Sequence, residues 1–284
     1  MEKYSEWMDK GTGIKPFIPV SATNRSNVAL GIWILKAVLL LPLVLIWAVL
    51  RAVGLGTPLG RWLLQLLVGF EYQVSVDGVK KRDLSTRHLP QRGRVYLANF
   101  ASPLDGLAAA VVSAVPVLLL VPRGDTLYQF SPWQLGWFAL SGALDIPAGQ
   151  PKLDAAAAAS SGCALFVFAE GTTSAGRGIL PFELGDPVLA QLSHDADGIY
   201  TASFRLSQSD LATPVPTGLW AYLGRLATRG VQYHCRIQGP FSKGTTSELR
   251  QALAKGEGFM LLGKNLDLKA KRGFLQTWQP ATGR

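Results

Sequence analysis

Cysteine and histidine are scarce in this chain of 284 residues: two of the first, Cys163 and Cys235, and three of the second, His88, His194 and His234. Two cysteines, each in a strand-like run, exclude a disulfide framework and a zinc site, and they suit a reducing, cytosol-facing compartment. No G-x-S-x-G elbow, Walker A loop or G-x-G-x-x-G turn after a strand occurs, which removes the serine-hydrolase and nucleotide-binding readings. Acids are also few, 19 against 28 basic residues, for a net charge of +9. Such a balance calls for an anionic partner. No RNA- or DNA-binding signature accompanies it, so the sequence predicts no nucleic acid. The first 27 residues hold acids, prolines and glycines but no h-region, which predicts no secretory signal peptide.

What the chain has in abundance is apolar sequence. After a polar, proline-containing lead segment (1–27), the stretch from Val28 to Leu50 is apolar apart from Lys36. That length suffices to cross a bilayer or lie deep in it, since a span takes about 20 apolar residues. The segment Gly54-Leu55-Gly56-Thr57-Pro58 breaks the run, and Leu59 to Phe70, which carries Arg61, is too short to span. Residues 28–71 therefore read as a membrane-embedded helical hairpin dipping into one leaflet. Trp33, Trp47 and Trp62 would sit in the interfacial zone, while Lys36, Arg51 and Arg61 snorkel. The competing reading, a hairpin packed in a soluble core, is opposed by the near absence of a polar face. Near the C-terminus Lys264, Lys269, Lys271 and Arg272 lie beside Phe274 and Trp278. They read as a patch for an anionic membrane surface or as a solvated terminal helix.

From residue 72 to 284 strand-like and helix-like stretches alternate, as one α/β domain requires. Strands are expected at Tyr72–Val76, Arg94–Ala98, Val117–Val121, Cys163–Phe168, Ile199–Leu206 and Val231–Gln238. Helices are expected near Leu104–Ser113, Pro132–Leu140, Leu153–Ser161, Gly218–Thr228 and Thr246–Ala254. The pattern predicts a sandwich with a mixed sheet.

Two strand ends carry chemistry. Cys163 to Phe168 leads into Ala169-Glu170-Gly171-Thr172-Thr173-Ser174-Ala175-Gly176-Arg177-Gly178. A carboxylate, a glycine-rich turn, three hydroxyls and an arginine are suited to a phosphate, because glycine lets backbone N–H groups approach an anion. Arg94 to Ala98 leads into Asn99-Phe100-Ala101-Ser102-Pro103-Leu104-Asp105. Taken as local structure alone, Arg177 is a solvated loop arginine, Glu170 caps its own loop, and Asp105 caps a helix begun near Ser102. His88 falls in a charged, Pro-bounded loop, His194 in a polar turn, and His234 within a half-buried strand.

Together the two blocks resemble the motifs of the PlsC-type glycerolipid acyltransferases, N-H-x-x-x-x-D after one strand and F-P-E-G-T-R-S after a later one. Asn99, Ser102, Pro103, Leu104 and Asp105 match the first block, and Phe168, Glu170, Gly171, Thr172 and Ser174 match the second. The N-terminal Met1-Glu2-Lys3-Tyr4, Trp7, Asp9 and Gly11 to Phe17 extend the likeness to fungal lysophosphatidic acid acyltransferases of that family. The resemblance implies a PlsC-type sandwich that acylates lysophosphatidic acid from acyl-CoA, without metal and with no cofactor beyond acyl-CoA as co-substrate. It places Asp105 and Ser102 among the catalytic residues. Around the substrate it places Asn99, Glu170, Gly171, Thr172, Thr173 and Arg177, with Thr213-Pro214-Val215-Pro216 lining the acyl pocket and backbone N–H groups around Gly171 at the oxyanion or phosphate. Its partners would be membrane lipids, above all an anionic lysophospholipid, at the endoplasmic reticulum or a lipid droplet, with the catalytic domain facing the cytosol. Three departures stand out. Phe100 occupies the position of the motif histidine, which is the general base of the family; Thr173 replaces the motif arginine; and no arginine occurs at Gly142 to Pro147. A phenyl ring cannot accept a proton, so either His88, Asp105 or Glu170 replaces the base, or the chain is an inactive lipid-binding or scaffolding member of the fold.

Overall fold

The computed structural model describes residues 2–20, 69–113, 115–142, 144–241 and 244–279, together with Gly31, Ile32, Ile34, Leu35, Val38, Leu39 and Pro42. Most of the expected hairpin at 28–71 lies outside the described residues. Its seven described residues in 31–42 are helical and exposed, and no helix among the described residues is long and apolar enough to cross a membrane. The last two positions of that segment, Phe70 and Glu71, belong instead to a strand.

That strand, β1 (Phe70–Val76), is at one edge of an eight-stranded sheet. The others are β2 (Val95–Ala98), β3 (Val117–Arg123), β4 (Thr126–Phe130), β5 (Lys152–Leu153), β6 (Ala164–Phe168), β8 (Ile199–Leu206) and β9 (Val231–Phe241), in the order β1-β9-β8-β2-β6-β3-β4-β5. The four central strands, β8, β2, β6 and β3, run parallel, and antiparallel pairs join β8 to β9 and β3 to β4. The mixed sheet is thus as expected. Two short strands, β7 (Gly178–Ile179) and β10 (Met260–Leu261), pair separately.

β2 and β6 are apolar at every position because both of their faces are covered. Tyr96, Ala98, Phe166 and Phe168 point into a core shared with α1 (Asp105–Val112), α2 (Pro132–Ser141) and α5 (Leu219–Arg229). Val95, Leu97, Leu165 and Val167 point into the opposite core, which holds α3 (Ala155–Ala159), α4 (Asp186–Asp195) and α6 (Thr246–Glu257). Helix ends follow local chemistry. Ser131 and Gln134 form a capping box at the start of α2, and Thr245 and Glu248 do the same for α6. Gly142 and Gly258 close these helices in the left-handed conformation.

The lead segment is packed rather than loose in its described part. The rings of Tyr4, Trp7 and Phe17 pack at an angle against Phe274 of α7 (Leu268–Thr277), and Leu180, Val215, Leu262 and Leu266 complete the cluster. Asp9 ties the two ends of the chain together: its carboxylate accepts the Thr12 N–H and hydroxyl at 2.8 and 2.7 Å and the Gly263 N–H at 2.8 Å.

Candidate functional site

Because β2 and β6 are parallel neighbours, the loops that leave their C-terminal ends emerge side by side, where open α/β sheets bind ligands. The structure brings the two motif blocks into direct contact. The Glu170 carboxylate accepts the Phe100 N–H through Oε1 at 3.1 Å and the Leu180 N–H through Oε2 at 3.1 Å. The Ser174 N–H donates to the Phe100 carbonyl, and the Thr213 N–H donates to the Ala101 carbonyl. Thr213, expected to line an acyl pocket, is instead buried and bridges both blocks, since it also accepts from the Thr173 hydroxyl at 2.6 Å.

Asp105 holds its own loop closed. Oδ2 accepts the Ala101 and Ser102 N–H groups at 2.7 and 2.8 Å, and Oδ1 accepts the Tyr233 phenol at 2.7 Å. Burial pushes this carboxyl up to about 6 against those three donors. In the family a histidine is the partner of this aspartate; here the phenol of Tyr233, on β9, donates to it. The neighbouring Ser102 hydroxyl shares a hydrogen bond of 3.1 Å with Tyr222 on α5. Burial also drives Glu170 up to about 8, opposed by its two N–H donors and by Arg250.

Phe100 is part of the core. Its ring is wholly buried in the core, 5.0 Å from that of Phe168. Asn99 is likewise structural in its contacts. Its side chain accepts the Phe204 N–H at 2.7 Å and donates to the Phe204 carbonyl at 2.9 Å, replacing a strand partner at the end of β8. Gly171 turns with a φ of +66°, and a Cβ there would collide with Arg123 of β3 and touch Glu183. Its N–H donates to the Phe168 carbonyl, so this amide is engaged within its own turn rather than turned to an oxyanion or phosphate.

The E-G-T-T hydroxyls have a partner far away in the chain. Lys271, read above as part of a surface patch, is completely buried: its ammonium donates to the Thr172 hydroxyl at 2.8 Å, the Thr173 carbonyl at 2.6 Å and the Thr173 hydroxyl at 3.2 Å. Burial pulls it down to about 7, with Glu170 opposing and Arg123 reinforcing the shift. A basic side chain therefore does stand beside position 173, though it is supplied by α7 rather than by the loop. Arg123 caps the Leu144 carbonyl at 2.6 Å, and Arg250 donates to the carbonyls of Ile179, Leu180 and Leu262. Arg177 stands apart, exposed beyond the buried loop.

The histidines are engaged elsewhere. Nδ1 of His88 accepts the Ser85 N–H, His194 pairs with Asp195, and His234 meets Glu257 at 2.8 Å. None of these contacts reaches Asp105 or Glu170. Among the described residues no group of three His, Cys, Asp or Glu side chains could hold a metal ion. The sequence reading missed Tyr222, Tyr233 and Lys271. Only the alternation of Tyr233 with Val231 and Cys235 along β9 hinted that its ring faces inward.

The two loops that carry the motif blocks are joined at neighbouring strand ends, and the chain belongs to the glycerolipid acyltransferase family. The relative that establishes this is Lysophosphatidic acid:oleoyl-CoA acyltransferase 1 of Saccharomyces cerevisiae, 32% identical over 297 residues that cover 98% of this chain and 97% of the relative. No family model matches the chain, and no solved structure matches it.

Proposed function

We propose that this protein transfers the acyl group of acyl-CoA to the free hydroxyl of lysophosphatidic acid, forming phosphatidic acid and releasing CoA. End-to-end similarity to an enzyme named for that acceptor and for oleoyl-CoA carries this reading over that of an inert lipid-binding scaffold. In the transfer the acceptor oxygen attacks the thioester carbonyl, the C–S bond breaks, and the hydroxyl proton ends on the CoA sulfur. Asp105 is the group assigned to take that proton first. With its carboxyl near 6 it is ionised at neutral pH and more basic than an ordinary aspartate. Ser102, with Tyr222 behind it, sits beside Asp105 as a hydroxyl able to pass the proton on. Arg177 is the exposed charge of the second motif and is assigned to the acceptor phosphate.

The setting that suits these substrates is the cytosolic face of the endoplasmic reticulum or a lipid droplet. In support, Ile32, Ile34, Leu35, Val38 and Leu39 are exposed apolar side chains on helical residues, as a lipid-embedded segment would require. The test is acyl transfer from oleoyl-CoA to lysophosphatidic acid by the purified full chain, beside Asp105→Asn. General-base removal is expected to lower kcat/KM by about 10²–10⁴-fold. No transfer above background in the wild type, with lysophosphatidic acid still bound, would leave the scaffold reading in its place.

A further inference from the structure

Three tryptophans of the α/β domain are turned to solvent: Trp133 is 74% exposed, Trp137 54% and Trp220 79%. Trp133 and Trp137 are one helical turn apart on α2, and so share a face. Trp220 begins α5. The two helices are joined, because the Thr217 N–H donates to the Leu140 carbonyl at 2.8 Å. Between them lies a cleft of about 330 Å³ whose walls include Trp137, Leu140, Pro216 and Leu219. Trp137 lines this cleft; Trp133 shares its face of α2, and Trp220 follows Leu219 of the opposite wall.

That surface lies over the first motif. A Cβ on Gly136, next to Trp137, would stand 3.0 Å from the Pro103 carbonyl oxygen, so α2 rests directly on the Asn99–Asp105 loop. Two residues past Trp220, Tyr222 is bonded to Ser102. The chain as a whole carries a net charge of +9, which favours an anionic surface. Indole combines an apolar body with an N–H that seeks a polar partner, which favours the headgroup boundary of a lipid layer. A net positive charge strengthens attachment to anionic lipid.

We propose that Trp133, Trp137 and Trp220 form the face by which the catalytic domain docks on an anionic lipid surface, with the aspartate loop held immediately beneath it. The proposal rests on the acyltransferase reading only in making the lipid layer the source of the acceptor; docking itself is measurable without turnover. The full chain carrying Cys163→Ser retains buried Cys235 as its one native thiol. Into it are placed, singly, Trp133→Cys, Trp220→Cys and, as a control, Arg82→Cys, whose native side chain is 78% exposed. Each is labelled with an NBD fluorophore and mixed with phosphatidylcholine vesicles containing phosphatidic acid, after circular dichroism confirms an unchanged fold. Emission at 133 and 220 should rise roughly twofold or more as the probe leaves water, while the probe at 82 stays constant. Vesicle binding without a rise at 133 and 220, or no vesicle binding at all, overturns the proposal. It is equally overturned if both probes are already shielded without vesicles, which would mean that another part of the chain covers the face. A protein that docks in this way yet transfers no acyl group would refute the proposed function and leave the docking face standing.

Discussion

At the scale of single residues, the replacement of the motif histidine by phenylalanine is absorbed by the core rather than by the site. Phe100 fills space against Phe168, and the contact that an imidazole would make with Asp105 passes to the Tyr233 phenol. This carries a prediction. Tyr233→Phe removes a donor from the ionised form of Asp105, so the carboxyl rises further above 6. If ionised Asp105 is the base, the acid limb of the kcat/KM profile moves to higher pH. A hydrogen bond to a charged group is worth about 1.5–3 kcal/mol, so activity at pH 6 should fall roughly tenfold or more and recover in part at pH 8. A uniform loss at every pH would assign Tyr233 to packing alone.

At the scale of elements, the central strands were legible because full burial writes itself as unbroken apolar sequence. Ile199–Leu206 begins and ends where the alternation places it, and β2 and β6 differ from expectation by one residue. The hairpin of β3 and β4 had a signal that went unread. Gly124 and Asp125 form a two-residue turn, with Arg123 paired to Thr126, between two runs rich in β-formers. α4 and α7 are short and charged, and only distant partners decide what they bury. Lys271 illustrates the limit, since the acceptors that draw it inward lie about a hundred residues earlier in the chain. Asp9 is the same case at the other end. Asp9→Ala should strand the Thr12 and Gly263 N–H groups and cost about 1–3 kcal/mol. That corresponds to a fall of several degrees in Tm by calorimetry, at roughly 2–4 °C per kcal/mol for a chain of this size. A Tm within one degree of wild type would show that the aromatic cluster alone holds the N-terminal segment, on the same scaling.

At the scale of the molecule, two buried charges give stability a pH dependence with two opposed limbs. Glu170 holds its proton to about 8 when folded against an ordinary 4.5, so between those values the folded chain binds more protons and stability falls as pH rises. Lys271, near 7 when folded against an ordinary 10.5, reverses the balance: across that window the unfolded chain binds more protons, and stability rises with pH. Urea midpoints measured from pH 5 to 10 should therefore pass through a minimum near neutrality. Glu170→Gln should flatten the limb between pH 6 and 7, below which Asp105, near 6 against an ordinary 3.8, still contributes, and Lys271→Met should flatten the alkaline one. Curves parallel to wild type in both variants would remove these two groups as the cause.

The union of the chain's two ends beside the E-G-T-T loop also sets a schedule for synthesis. Thr172 and Thr173 leave the ribosome well before Lys271 does, and during that interval the loop has none of the ammonium contacts that anchor it in the finished fold. Tyr4, Trp7 and Phe17 emerge long before Phe274, against which their rings pack. A product terminated before α7 would lack both Lys271 and the Phe274 ring while carrying every residue of the two motifs. Synthesis of α7 is thus a precondition for the assembled site.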